Sequence, residues 1–353
     1  MNVHDIPMVL FTVVSQLAVG TFITLGVIRL FASPRHDART VERVVSPVLY
    51  AIGPAMVFGL AVSMLHMNDI THTFNVLRHW DSSWLSREII FGVSFAGFGF
   101  LFALLEWFKV GSAVLRQVIA GITAVLGVAL VVAQSAIYYA LITVPAWHNW
   151  AVPVQFFGTT ILLGVLAVGA ALMVTALVRA RADERTAAAA AHPDAPSADG
   201  AAAAESAVPA DAPRGGGLAL QVRTRVREIN APTSDAEWGL TASILRGIAF
   251  VGSAVAVALL VVYPLYVGAL AQAGAAGQES LAILVGPMLW VRLLLLAVTA
   301  VILSFFVYRM AGTATVKRAR TLVVLVLVTF VLAFASEFLG RMLHYAIMVR
   351  VGI

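Results

Sequence analysis

The sequence predicts an all-α polytopic membrane protein of eight transmembrane helices, arranged as two four-helix bundles with both termini outside, and three observations lead there. First, 61% of the 353 residues are apolar and 12% charged, against about 45–50% and ~25% in soluble domains. The chain therefore has too little polar surface to cover a globule in water. Second, runs long enough to cross a hydrocarbon core of about 30 Å, roughly 20 apolar residues each, recur eight times along the chain. Third, Lys and Arg fall overwhelmingly in alternate loops, the bias that orients helices in a bilayer.

Taken in order, the apolar runs lie at 8–31, 45–66, 88–108, 114–143, 153–178, 243–270, 282–308 and 321–349. The first has neither a cationic leader nor a small-residue cleavage site, so it reads as a retained span. Several exceed the minimum length, which allows for tilt. Eighteen of the 23 cationic residues gather in one set of loops, three (Arg78, Arg87 and Arg350) lie in the other, and Arg292 and Arg341 fall inside spans. That asymmetry places both termini outside, with Trp80, Trp84, Trp147 and Trp150 as an outer aromatic belt. Pro7-Met8-Val9-Leu10-Phe11-Thr12 and Pro153-Val154-Gln155-Phe156-Phe157-Gly158 open spans one and five alike. Such similarity suggests an internal repeat and two bundles of the same orientation, although proline ahead of an apolar run is also a common helix start.

Residues 180–240 break the pattern with low-complexity Ala/Pro/Gly/Asp-rich sequence, including the run from Ala187, Asp194-Ala195-Pro196 and Gly215-Gly216-Gly217. Such composition buries too little surface to offset its ordering entropy. It reads as a disordered cytoplasmic linker between 1–179, with helices one to five, and 241–353, with helices six to eight. The net charge of +5 and the pI near 9.9 do not come from this stretch. Arg179 to Glu237 holds nine acids and seven bases, leaving 16 bases and nine acids elsewhere. The excess belongs to topology-setting loops and not to a nucleic-acid surface, so the lipid bilayer is the expected partner and nucleic acid is not. The absence of cysteine excludes disulfides, thiolate metal sites and an iron–sulfur cluster held by this chain. A redox role must use an organic cofactor, haem, or metal centres on a partner.

Ionisable residues inside spans cost about 2.5–3.5 kcal/mol each and mark candidate sites. One cluster surrounds the turn between spans two and three: His66, then Asp69, His72, Asn75, Arg78, His79 and Asp81, then Trp84-Leu85-Ser86-Arg87-Glu88-Ile89. The ends of an antiparallel helix pair are neighbours, which brings His66 near Glu88. A histidine and a carboxylate there can accept the two protons of a hydroquinone as it is oxidised. The plain alternative makes Glu88 an early-helix acid favoured by the dipole, with Ser86 as N-cap, and Arg87 a headgroup anchor. A second cluster is Glu337 and Arg341, four residues apart on one face of span eight, with Arg292 on span seven at similar depth. It reads as an intramembrane ion pair that fixes helix packing. His66 and His344 would be the axial ligands if haem were bound. Gln134, Tyr138 and Tyr139 suit either a quinone pocket or the aromatic belt, and Glu106, beside Trp107 and Lys109, reads as interfacial. No metal site is predicted.

Ser63-Met64-Leu65-His66, Phe74-Asn75-Val76-Leu77 and Trp84-Leu85-Ser86-Arg87-Glu88-Ile89 together resemble the signature of the DmsC-like family, the membrane-anchor subunits of dimethyl sulfoxide reductase and related molybdoenzymes. Phe11-Thr12-Val13 with Gln16 and Gly20 resembles its first span, Thr143-Val144-Pro145-Ala146-Trp147 its fourth outer turn, and Glu337-Phe338-Leu339-Gly340-Arg341 its last span. Met67-Asn68-Asp69-Ile70 departs from the family's Gly- and Pro-containing turn. The resemblance extends over all eight helices and leaves out 180–240. It implies a multi-pass subunit of the bacterial inner membrane that binds menaquinol near the outer face through His66 and Glu88, with Asn75 and Arg78 beside them, oxidises it to menaquinone, and carries no haem. Electrons would pass to a four-cluster ferredoxin-like iron–sulfur partner and on to a molybdopterin catalytic subunit. The competing expectations are a small-solute transporter, for which Pro264 and Pro287 would break helices at a midplane site, and a haem b quinol-oxidising anchor.

Overall fold

In the computed structural model the described residues are 6–50, 79–191, 217–314 and 319–351. Among them every regular element is helical, and seven helices are long and apolar enough to cross a membrane. The N-terminal part holds α1 (Ile6–Ala32), α2 (38–50), α3 (Trp84–Phe108), α4 (Ala113–Tyr139) and α5 (Ala151–Ala191). The remainder holds α6 (Gly217–Asn230), α7 (Asp235–Ala271), α8 (Gly274–Leu284), α9 (Pro287–Thr313) and α10 (Arg320–Ala346). Of the expected second span, 45–66, only 45–50 is described, and the rest lies outside the described residues.

Local chemistry sets the helix ends. Ser83 caps α3 by accepting the Ser86 N–H, and the helix stops at Lys109, whose φ of 55° turns its N–H onto the Leu105 carbonyl. Ser112 caps α4 in the same way through the Leu115 N–H. The α3 cap moves the helix start four residues ahead of the expected 88. Pro287 does not break a span but starts one: Gly286 is extended, α9 opens on the proline, and residues 282–284 belong to the short helix α8. Proline fits the first helical turn because its missing N–H has no intrahelical acceptor there. Pro264, by contrast, lies inside α7, which runs through it.

Helices α1 and α5 form the spine. In the most apolar window of α1, 67% of residues are buried, against 22% in the peripheral α3. The two backbones meet at Gly20 and Gly164: a Cβ on Gly20 would lie 1.9 Å from the Thr160 carbonyl oxygen, and one on Gly164 would lie 2.3 Å from the Gly20 carbonyl carbon. In lipid, where apolar burial drives little association, such close van der Waals packing is what holds helices together. Around the spine, α3 pairs with α4, while α10 packs on α5 and α9.

The stretch expected to be a disordered linker is ordered at both ends. Helix α5 continues through 180–191, in alanine-rich sequence of high helix propensity, and α6 and the start of α7 occupy much of 217–240. Two arginines, the buried Arg179 and the partly buried Arg43, tie this segment to the bundle. Arg179 donates to the carbonyls of Ile229 (2.7 Å) and Arg43 (2.9 Å). Arg43 donates to those of Glu228, Ala231 and Pro232 and pairs with Glu237. Glu237 in turn closes a capping box with Ser234. Composition registers none of these carbonyl contacts, which is why it suggests disorder. Residues 192–216 lie outside the described residues.

Candidate functional site

At the end of the bundle where α3, α5 and α9 begin and α4, α7 and α10 finish, polar side chains converge inside the apolar core. Glu88 is the fifth residue of α3, about 6 Å along the axis from Trp84 at 1.5 Å per residue, and only 6% exposed. With Ser83 as the N-cap, Ser86 is a buried residue of the first turn. Glu88 therefore sits beyond the first turn, where a capping or dipole role is weak. Among the described residues no Lys, Arg or His lies within ion-pair distance of it. Its polar neighbour is the side chain of Gln134 on α4.

Gln134 is fully buried and belongs to a relay across three helices. Its Nε2 donates to Ser15 Oγ (2.8 Å) and its Oε1 accepts from Gln16 Nε2 (3.1 Å). Gln16 Oε1 accepts from the Arg341 guanidinium of α10 (2.9 Å). The Arg341 guanidinium also lies 3.5 Å from the centre of the Phe156 ring, a cation–π contact strengthened by the dry surroundings. Above the relay, the Tyr138 and Tyr345 hydroxyls share a hydrogen bond of 2.7 Å. Trp147 donates to the His344 carbonyl (2.7 Å), and its ring stacks on the His344 imidazole at 5.5 Å. Tyr138 and Phe156 meet other sides of the same imidazole. His344 is thus enclosed by aromatic rings.

Deeper in the core, Glu337 accepts from Thr159 Oγ1 (2.6 Å) and pairs with Arg292 (3.4 Å). Arg292, 1% exposed, lies 4.3 Å from the centre of the Tyr263 ring, whose hydroxyl donates to Gln155 (2.9 Å). Gly340 makes this possible: a Cβ there would fall 2.1 Å from Arg292 Cζ. Of the three residues expected to form one ion pair, Arg292 and Glu337 meet directly, while Arg341 turns away to Gln16 and Phe156.

His66, Asn75 and Arg78 lie outside the described residues. Arg87 donates to the Trp80 carbonyl (2.9 Å) and that of Asp81, and covers the Trp84 ring at 4.3 Å, so it braces the turn before α3. Tyr139 is exposed, unlike Tyr138. Sequence reasoning did not bring Ser15 or Gln16 together with Gln134, nor Thr159 with Glu337. A signal existed: Thr12, Ser15 and Gln16, and likewise Gln155 and Thr159, are polar residues three or four apart on one face of an otherwise apolar helix. Glu106, expected at an interface, is buried at the opposite end. No cluster of potential metal ligands occurs among the described residues.

The sequence that builds this constellation is similar to the C subunit of the anaerobic dimethyl sulfoxide reductase of Escherichia coli (strain K12), 34% identical over 163 residues, which are 46% of this protein and 56% of the relative. It is 32% identical over 169 residues to the YnfH subunit of an anaerobic dimethyl sulfoxide reductase of the same organism, covering 48% and 58%. To the C subunit of the Haemophilus influenzae reductase it is 28% identical over 176 residues, covering 49% and 60%. The chain thus spans somewhat more than half the length of the curated relatives it matches. The family model described as DMSO reductase anchor subunit (DmsC) matches residues 1–189, more than half of the 353, so that Glu88, Gln134 and Gln16 fall inside the match and Arg292, Glu337 and Arg341 outside it. The chain belongs to the DmsC family.

Proposed function

We propose that this protein is the membrane anchor and quinol-oxidising subunit of a molybdoenzyme complex of the dimethyl sulfoxide reductase type. Glu88 carries the reading: a carboxylate buried near the membrane surface, close to an amide and without an ion-pair partner among the described residues, is a proton acceptor in a dry site. Family membership supports the role of anchor, and the seven apolar helices support residence in a membrane. The proposed topology has eight spans, the second over 45–66, with both termini and the Glu88 end on the outer side of a bacterial inner membrane.

Menaquinol enters from the lipid and presents its head group to Glu88 and His66, with Asn75 and Arg78 on the same turn. As it becomes menaquinone it yields two protons and two electrons. The Glu88 carboxylate takes one proton and the His66 imidazole the other. The electrons leave, one at a time, for a docked iron–sulfur subunit of the four-cluster ferredoxin type, which supplies a molybdopterin subunit that reduces an S-oxide or N-oxide. With no cysteine in this chain, the metal centres belong to those partners.

The test is electron transfer in the assembled complex. His66→Arg and Glu88→Gln are each expected to lower menaquinol-driven dimethyl sulfoxide reduction by about 10²-fold or more, the usual contribution of a positioned acid–base group. Turnover driven by an artificial donor that reduces the partner subunits directly stays at the wild-type level. Undiminished menaquinol-driven turnover in both variants would overturn the assignment.

A further inference from the structure

Arg341 is a buried cation on α10, outside the residues that match the family, and no carboxylate among the described residues lies within ion-pair distance of it. It donates instead to Gln16 Oε1, at 2.9 Å. A guanidinium can only donate hydrogen bonds, and that limits how the two glutamines can face. Gln16 must turn its oxygen to Arg341, which leaves its Nε2 for Gln134 Oε1 at 3.1 Å. Gln134 must then turn its own Nε2 the other way, where one N–H donates to Ser15 Oγ at 2.8 Å, and Glu88 is its acidic neighbour. Amide orientation is usually a matter of choice between two similar ends; here a donor-only residue at one end removes the choice.

We propose that Arg341 is a positioning residue of the quinol site: through Gln16 and Gln134 it fixes an N–H against the Glu88 carboxylate and keeps that group an anion ready to receive a proton. The inference rests on the quinol reading of Glu88 given above. With the relay reversed, Gln134 would present an oxygen to Glu88, and only the protonated acid could bond to it. Linked hydrogen bonds also polarise one another in a low-dielectric interior, so the Arg341 charge acts on Glu88 along the series of amides. In the cycle, the Glu88 carboxylate takes one proton from the hydroquinone and His66 the other, two electrons go to the iron–sulfur partner, and the Glu88 acid then releases its proton to water at the surface. Among the described residues, the ionisable groups facing this unit are Tyr138 of α4 and Tyr345, His344 and Glu337 of α10, with Arg292 of α9 behind Glu337. Helix α1 contributes only uncharged side chains, Thr12, Ser15 and Gln16. The C-terminal half of the protein thereby completes a site whose proton acceptor lies in the N-terminal half.

Three variants test this in the intact complex. Arg341→Met removes donor and charge, Gln134→Leu cuts the relay while leaving Arg341 in its place, and Arg341→Lys keeps a donor-only cation. In Arg341→Met and Gln134→Leu the acid limb of menaquinol-driven turnover moves to higher pH by about one unit, a tenfold change in the proton equilibrium, and the rate recovers at alkaline pH. Arg341→Lys retains the wild-type profile. A second readout needs no turnover: the infrared band of protonated Glu88, identified by its loss in Glu88→Gln, titrates at higher pH in Arg341→Met and Gln134→Leu than in the wild type. If Glu88→Gln is inactive but Glu88 titrates as in the wild type in both relay variants, the role of Arg341 is overturned and the quinol site stands. If Glu88→Gln is fully active, the quinol reading falls. Should Arg341→Met fail to assemble, the infrared titration of Gln134→Leu decides.

Discussion

Buried carboxylates occupy both ends of the helix bundle, and their surroundings are opposite. At the cationic end, Glu106 receives Arg29 at 2.7 Å and Lys109 and Arg116 at 3.0 Å each, and Glu237 is held by Arg43 and Arg179. At the other end, Glu88 is buried as well, yet no described cation lies within ion-pair distance of it, and Arg341 donates to Gln16 instead. The same residue type is a tether where cations saturate it, and under the proposed function it is a proton acceptor where they are held off. Burial alone therefore does not identify a site; the number of cations that face the buried acid does. Glu337 stands between the extremes, with one arginine and one threonine hydroxyl.

That contrast yields stability effects without loss of function wherever the acid is a tether. The largest is expected for Gly340→Ala, whose methyl would overlap the Arg292 guanidinium and push it off Glu337. Overpacking of this kind costs about 3 kcal/mol, seen as a lower thermal midpoint of the purified complex, with menaquinol-driven turnover per assembled complex unchanged. Glu106→Gln comes next, at about 2 kcal/mol for weakened charged hydrogen bonds, part of that softened by the 43% exposure of the Arg29 side chain. Its turnover per assembled complex also stays at the wild-type level, and a large loss of turnover without loss of stability would erase the distinction between the two ends. Thr159→Val is the mildest: it removes one hydrogen bond to Glu337, about 1 kcal/mol, measured in the same thermal unfolding experiment.

Much of this architecture is legible from apolar run length and cation placement, because a bilayer demands both. Seven of the expected spans correspond to helices, displaced where a serine cap or a proline sets the true start, as at Ser83 and Pro287. Glu88, Glu337, Arg341 and Arg292 stood out for a similar reason, as ionisable residues in hydrocarbon. Pair identity did not follow. Helical spacing puts Glu337 and Arg341 on one face, but whether a long arginine turns to the acid on its own helix or to Gln16 of another depends on tertiary geometry. The ordering of 217–240 was hidden for the same reason, since Arg43 and Arg179 bind backbone carbonyls that carry no sequence signal. His66 remains a reading of sequence and family, and its place beside Glu88 is part of the proposal.

One binding measurement separates the two ends without relying on turnover. The affinity of the solubilised complex for a non-oxidisable menaquinol head-group analogue is compared in the wild type, Glu88→Gln and Glu106→Gln. Loss of one charged hydrogen bond to the head group predicts about tenfold weaker binding or more in Glu88→Gln, and unchanged binding in Glu106→Gln. Equal affinity in all three, or weakening confined to Glu106→Gln, would contradict the placement of the quinol at Glu88.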